Sequence, residues 1–422
     1  MKQAVLSLFV AGAVAFPWVA EQPGVDSSLF KQRRANYRRQ QTGEGAGGPS
    51  TCPFNANHVP APGITAEYPY NNAKNGQMGN QKGGYQVPAN GDTAHYYVAP
   101  GPNDIRGPCP GLNAAANHNF LAHDGITTYN ELVDAQQNLY NVGYDLANLL
   151  AVLGLITTDG DIVTEKLSIG CDATTRTSIN PTLTGSEPGL DGHNKFEADS
   201  SLTRNDFFLD NGDDFTFNGT LFGMMDATTG GNFDRAGLST YRYQRWHQSQ
   251  IENPNFEFGP LTLLLYGAAS FLYELMPNGN HGYAPDLETI SSFFGAEKQS
   301  DGTWGFVHEK IPASWTNRVA PYTNNDVTNE IVAMYLENPV LFGGNTASGA
   351  FDTISFGAIK DGAISPSINA ADTSCLLYQL TTANIPGYAN SAVTPTVDAL
   401  SFALEKLSPS FKNLGCPIPL TK

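Results

Sequence analysis

Cys109 stands between two prolines in the stretch RGPCPGLNAAANH, just ahead of an alanine-rich run with the composition of a short helix. Proline fixes the local backbone, and Pro110 has no N–H of its own to offer. The amides of Gly111, Leu112 and Asn113 are then free donors at a helix start, pointing toward the place a sulfur would occupy. A helix N-terminus stabilises a thiolate, the form of cysteine that binds metals and attacks electrophiles. From these residues alone Cys109 reads as either a metal-ligand thiolate or a disulfide partner or inert buried thiol.

The chain has five cysteines, Cys52, Cys109, Cys171, Cys375 and Cys416. In an oxidising compartment an odd count leaves one thiol over. Pairing Cys375 with Cys416 would tie down the C-terminal segment, and Cys52 with Cys171 would anchor the N-terminal coil, which leaves Cys109 unpaired. The compartment follows from the start of the chain. Lys2, the apolar run Val5 to Phe16 and the small residues Ala13-Val14-Ala15 have the pattern of a cleavable secretory signal over residues 1–15. Residues 16–39 read as a pro-segment, with dibasic pairs Arg33-Arg34 and Arg38-Arg39. The mature chain is expected over 40–422, secreted and extracellular.

Residues 1–39 carry six Lys/Arg and two Asp/Glu, so their removal takes the net charge from −17 to −21. Such a charge disfavours nucleic acid or an anionic membrane as partner. After the signal, no apolar run approaches the ~18 residues that span a bilayer. The sequon Asn218-Gly219-Thr220 marks Asn218 as a glycosylation acceptor.

A second stretch, GHNKFEADSSLTRNDFF from Gly192 to Phe208, holds Glu197, Asp199 and Ser201. Alone, its carboxylates read as a solvated acidic turn or a helix cap, and its phenylalanines as core. Asp213-Asp214 with Asp199 would also furnish paired carboxylates for a glycosidase, but no such pair sits in a segment that predicts a cleft.

These residues need elements to position them. Residues 40–105 are rich in Gly, Pro, Asn and Gln and read as an extended coil laid over a helical core of residues 106–422. Thr128-x-x-Glu131 has the form of a capping box, and Leu132, Ala135, Leu139, Val142, Leu146, Leu149 and Leu153 recur at helical spacing, which predicts one long amphipathic helix. Further helices are expected over Ser239–Gln250, Leu261–Leu275 (apolar on every face, hence buried) and residues 393–407. Strand alternation is scarce. The class is mostly α: a single large helical domain with long loops and an N-terminal coil extension.

Taken together, PGPNDIRGPCPGLNAAANH, KLSIGCD at Lys166–Asp172, GHNKFEADSSLTRNDFF and ENPNFEF at Glu252–Phe258 resemble the haem-thiolate peroxidases, fungal chloroperoxidase and the unspecific peroxygenases, closest to the long secreted peroxygenases. The resemblance runs from Ala99 to Cys416. It implies haem b with Cys109 as axial ligand, whose sulfur pushes electron density toward the iron and favours O–O cleavage. It implies a magnesium ion held by Glu197, the Ala198 carbonyl and Ser201, a set of hard oxygen donors. It places Phe196, Phe271 and Val142 around the distal pocket, and supports the Cys375–Cys416 pairing. The implied partners are hydrogen peroxide and small apolar or aromatic molecules.

Opening peroxide requires a proton to move from the near oxygen to the far one, and a positioned acid–base group contributes on the order of 10²–10⁴ in rate. The long peroxygenases use a glutamate after a Tyr-Gly pair, helped by an arginine two turns earlier. Here PLTLLLYGAASFLYELM puts Ala268 and Leu261 at those positions. The histidine that serves chloroperoxidase falls at Ala198. None of the three can carry a proton. His193, Glu257 and Glu274 remain as candidates, while His118 and His123 would lie on the wrong side of the cofactor. The expectation is a peroxidase or peroxygenase with altered proton supply; the alternative is a haem-binding protein, or a specialised fungal secondary-metabolite oxidase, with little general peroxide turnover.

Overall fold

The computed structural model describes residues 52–53 and 57–411, apart from 158–159, 161, 163, 172–188, 194–196, 211, 260–261, 346–357 and 384–392, and gives the backbone alone for 157, 370, 378–383 and 393–400. The expected signal and pro-segment, Phe196, Leu261 and Cys416 lie outside the described residues. Ten α-helices and three two-stranded antiparallel sheets make up the described regular structure, so the mostly helical class holds.

Helix α1, Pro110–Asn117, begins at Cys109, which is its N-cap with extended backbone (φ −87°, ψ 107°), and Pro110 occupies the first turn. There the missing N–H costs nothing. Strand β1, Ile126–Thr128, pairs with β2, Lys166–Ser168, in the register Ile126 to Ser168. The chain leaving β2 runs hard against the segment entering α1. A side chain on Gly107 would come 2.0 Å from the Ile169 carbonyl, and one on Gly170 would come 2.3 Å from the Arg106 carbonyl. Two backbones approach this closely only where both lack a Cβ. The glycines of RGPCP and KLSIGCD are therefore one feature, and the Cys52–Cys171 disulfide closes beside it.

Helices α2, Tyr129–Tyr140, and α3, Tyr144–Thr157, replace the single long helix expected there. The Thr128–Glu131 capping box starts α2 as expected. The apolar period runs on through the break, but Asn141 takes a left-handed conformation (φ 54°) and ends α2. Its side chain is pinned from far along the chain: Nδ2 donates to the carbonyls of Arg318 and Val319, and Oδ1 accepts from Asn71 Nδ2 at 2.7 Å. Asn tolerates this backbone better than most residues. Val142 sits in the break, bridged to Tyr322.

Residues 69–80 of the coil lie along α2 and bond to its polar face: Ala73 exchanges hydrogen bonds with Asn138, while Gly76 and Gly79 donate to Asp134 and Gln137. Beyond α3 come α4, Gly219–Thr229, α5, Arg235–Glu252, α6, Leu263–Glu274, and α7, Leu287–Phe294. The hairpin of β3, Ala296–Lys298, and β4, Trp304–Phe306, leads to α8, Asn324–Glu337. A small hairpin, β5 Ile359–Lys360 with β6 Ala363–Ile364, precedes α9, Ala370–Ala383, and α10, Val393–Phe411. Helix α8 packs between α6, α5 and α9, α3 lies against α2 and α10, and α1 meets α7. One apolar core runs through these layers.

Candidate active site

Helices α1, α2, α3, α6 and α8 surround an overwhelmingly apolar cavity that, with its mouth, encloses about 1600 Å³ of space not filled by protein atoms. Cys109 opens into it at one side. Its thiol is unpaired and half-buried, because its surface faces the cavity instead of packed protein. Burial pushes this thiol up, while the amides of Leu112 and Gly111 and the Arg204 guanidinium pull it down. The amides face the sulfur without closing a capping hydrogen bond of full geometry. Tyr140 pins the same turn, its hydroxyl donating to the Gly111 carbonyl at 2.7 Å.

Helix α6 lines the cavity with Leu264, Ala268 and Phe271, one stripe of the helix that its C-cap Leu275 continues. This face is the exception to the burial expected all round α6: Ala268 is open to the cavity, though Leu263, Tyr266 and Ala269 are buried. Phe271 and Val142 both line the cavity.

The cavity has one polar end. Glu197, Ser201, Thr203, Arg204 and Arg242 line it there. Three of these side chains are buried yet leave an atom without a hydrogen-bond partner: Glu197 Oε1, Arg204 Nε and Arg242 Nε. An orphaned buried polar atom costs about 1–3 kcal/mol, more when charged, so three at one place mark a site built for a ligand. Burial pushes the Glu197 carboxyl up to about 7, against the pull of a hydrogen bond from Ser201 and the charge of Arg204.

The segment that carries Glu197 is fixed from behind. Asp199 accepts from the Phe207 amide and Asn253, and Asp206 accepts from the Ser200 amide, Ser249 and Arg245. Arg245 donates to the Ser201 carbonyl at 2.8 Å, and Arg242 clamps the Ser200 carbonyl. Ser200 is held at φ 63°. Asp199 therefore braces the turn, with its carboxyl pushed up by burial and by the neighbouring Asp206.

The candidates for a replacement acid–base group stand elsewhere. His193 bonds to Asp214 at 2.9 Å and stacks on Phe207. Glu274 pairs with Arg318 at 2.6 Å. His118 uses both ring nitrogens, one on the His95 carbonyl and one on the Ile311 amide, and His123 bonds to the Ala116 carbonyl. None of these, nor Glu257, lines the cavity. Among the described residues no three His, Cys, Asp or Glu side chains gather to hold a metal ion; the expected magnesium set has a single carboxylate.

Sequence reasoning missed Arg204 and Arg242. Arg242 lies within the expected helix Ser239–Gln250, but only the packing of α5 against the Glu197 segment shows that it faces inward. Arg204 carried a weaker signal, its place seven residues after Glu197.

A family model described as "Peroxidase, family 2" matches residues 95–320, which include Cys109, Glu197 and Ala268. The chain belongs to this family, the haem-thiolate peroxidases, and is an oxidoreductase. It is 28% identical over 343 residues to "Aromatic peroxidase fscJ" of Fusarium equiseti, covering 76% of this chain and 78% of that protein. It is 32% identical over 265 residues to "Dothistromin biosynthesis peroxidase dotB" of Dothistroma septosporum, covering 60% and 63%. With an "Aromatic peroxygenase" of Coprinellus radians it shares 33% over 235 residues, 53% of this chain and 88% of the other.

Proposed function

We propose that this protein is a secreted peroxidase or peroxygenase that uses hydrogen peroxide to oxidise small apolar or aromatic molecules, with haem b held by Cys109. The observation that carries the reading is the unpaired Cys109 at the N-cap of α1, opening into an apolar cavity with one charged end. The fit is chemical. Haem has an apolar rim and a carboxylate edge, and the cavity matches that polarity with apolar walls and with the free N–H edges of Arg204 and Arg242 at one end. When bound, the group would supply the thiolate-ligated iron, the redox centre for peroxide chemistry. Glu197, the Ala198 carbonyl and Ser201 would hold a magnesium ion beside the carboxylate edge, and the unpartnered Glu197 Oε1 supports that assignment.

The protein's own contributions follow from the walls. The amides of Gly111 and Leu112 and the Arg204 charge favour the thiolate. Apolar residues of α3, α6 and α8 exclude water and take an apolar substrate by burial. Ala268 moves no proton, so water or the substrate itself would carry the proton in the peroxide step. Secretion accords with the Cys52–Cys171 disulfide and with Cys375, which is also disulfide-bonded. Asn218, proposed as glycosylated, caps α4 through its side-chain oxygen, a role that a glycan on the amide nitrogen leaves in place.

A second reading has its own observation. Ala268 leaves the α6 wall of the cavity without an acid–base group at the expected position, and the similar protein dotB is named for dothistromin biosynthesis. Together they favour a dedicated biosynthetic oxidation over broad peroxide turnover.

The test is incubation of the haem-loaded protein with hydrogen peroxide and an aromatic probe such as naphthalene. Peroxygenation converts R–H and H2O2 to R–OH and water, so the product should carry the peroxide oxygen. Peroxide consumption without any product, across aromatic and alicyclic probes, would exclude the first reading and leave the second.

A further inference from the structure

Glu309, far along the chain from Cys109, reaches the cysteine segment through one side chain. It is buried, 1% exposed, and its Oε1 accepts from Asn113 Nδ2 at 2.9 Å. Asn113 closes a two-bond ring on Gly107: the Gly107 amide donates to Asn113 Oδ1 at 3.0 Å, and Asn113 Nδ2 donates to the Gly107 carbonyl at 2.8 Å. Gly107 is two residues before Cys109, and Asn113 is in the first turn of α1, so the ring spans the Pro-Cys-Pro corner.

The same segment grips α1 twice more. The Glu309 carbonyl accepts from Asn117 Nδ2 at 2.7 Å, and the Ile311 amide donates to His118 Nε2 at 3.1 Å. Asn113 and Asn117 lie one turn apart on one face of the helix, and His118 is its C-cap. The backbone contacts alone would seat α1; the Glu309 side chain adds a bond to the very residue that closes the ring around Cys109. A buried carboxyl is a costly choice for a merely structural contact.

We propose that Glu309 is a positioning residue for the thiolate: through Asn113 it fixes the angle between the Pro108–Pro110 corner and the first turn of α1, and so the placing of the Gly111 and Leu112 amides about the sulfur. The consequence rests on Cys109 being the haem ligand, because hydrogen-bond donors around a ligating sulfur draw off its electron density and set the potential of the metal.

The experiment compares wild type, Glu309→Gln and Glu309→Ala with two readouts. Hydrogen exchange of the Gly107 amide on the purified full-length chain reports the ring and needs no cofactor chemistry. The ferric/ferrous potential of the haem-loaded protein reports the sulfur. Glu309→Ala should lose protection at Gly107 by about tenfold, the effect of one hydrogen bond, and shift the potential downward as the sulfur regains density. Glu309→Gln keeps the acceptor and should match wild type in both. A Gln variant whose potential shifts as far as the Ala variant would show that charge and not the bond matters, and would overturn the proposal; Glu309→Gln alone decides this should Glu309→Ala not fold. Unchanged exchange in Glu309→Ala would overturn it too. If exchange responds but wild type shows no thiolate-ligated haem, the ligand reading falls and the brace around Gly107 stands.

Discussion

Ala268, on α6, is open to the same cavity that Cys109 faces. Under the proposed function this wall brings no proton carrier of its own at that position: Ala268 presents a methyl group. Among the described residues, the side chains lining this cavity that could titrate or hold charge are Cys109, Tyr140, Glu197, Arg204 and Arg242.

Introducing Ala268→Glu should restore a proton carrier. An acid–base group contributes on the order of 10²–10⁴ in rate, and a carboxyl placed in this apolar wall would have its affinity for protons raised by burial. Stopped-flow measurement of peroxide consumption should show at least a tenfold gain. An unchanged rate would mean that proton supply does not limit the reaction.

Glu197 makes the cofactor-free, metal-free protein sensitive to pH. Its carboxyl lies at about 7 in the folded chain against an ordinary 4.5, so between those values the native state keeps a proton that the unfolded chain has lost. Stability then falls as pH rises through this window. At 1.36 kcal/mol per unit the contribution is at most about 3 kcal/mol. Denaturant unfolding of Glu197→Gln should show a correspondingly flatter pH dependence between pH 4.5 and 7, and saturating magnesium at pH 7.5 should stabilise wild type but not the variant. Parallel profiles would contradict the burial assigned to Glu197.

Asn141→Ala should destabilise the fold by about 2–4 kcal/mol, the cost of a left-handed non-glycine backbone plus three lost buried hydrogen bonds. Thermal unfolding measures it. A loss below about 0.5 kcal/mol would show that the break between α2 and α3 is set by something other than this side chain.

The break itself shows where sequence reading stops. The apolar spacing from Leu132 to Leu153 is continuous, and what interrupts it is a set of bonds from Asn141 to Asn71, Arg318 and Val319, 70 to 178 residues away. Local pattern carries no trace of such partners. Helix starts were legible where the signal was local, as in the Thr128–Glu131 capping box and in Pro110 after Cys109. In the site, Cys109, Phe271, Val142, Glu197 and Ser201 line one cavity. Arg204 and Arg242 escaped because arginine is ordinarily an exposed residue, and a buried one betrays itself only through the three-dimensional packing of α5.

The ligand is the point on which everything else depends. Reduced, haem-loaded protein under carbon monoxide should give the red-shifted Soret band of a thiolate-ligated haem, and Cys109→Ala should lose that band or fail to retain haem at all. A Cys109→Ala variant with the wild-type band would show that another residue holds the iron, and the account of this site would be wrong at its centre.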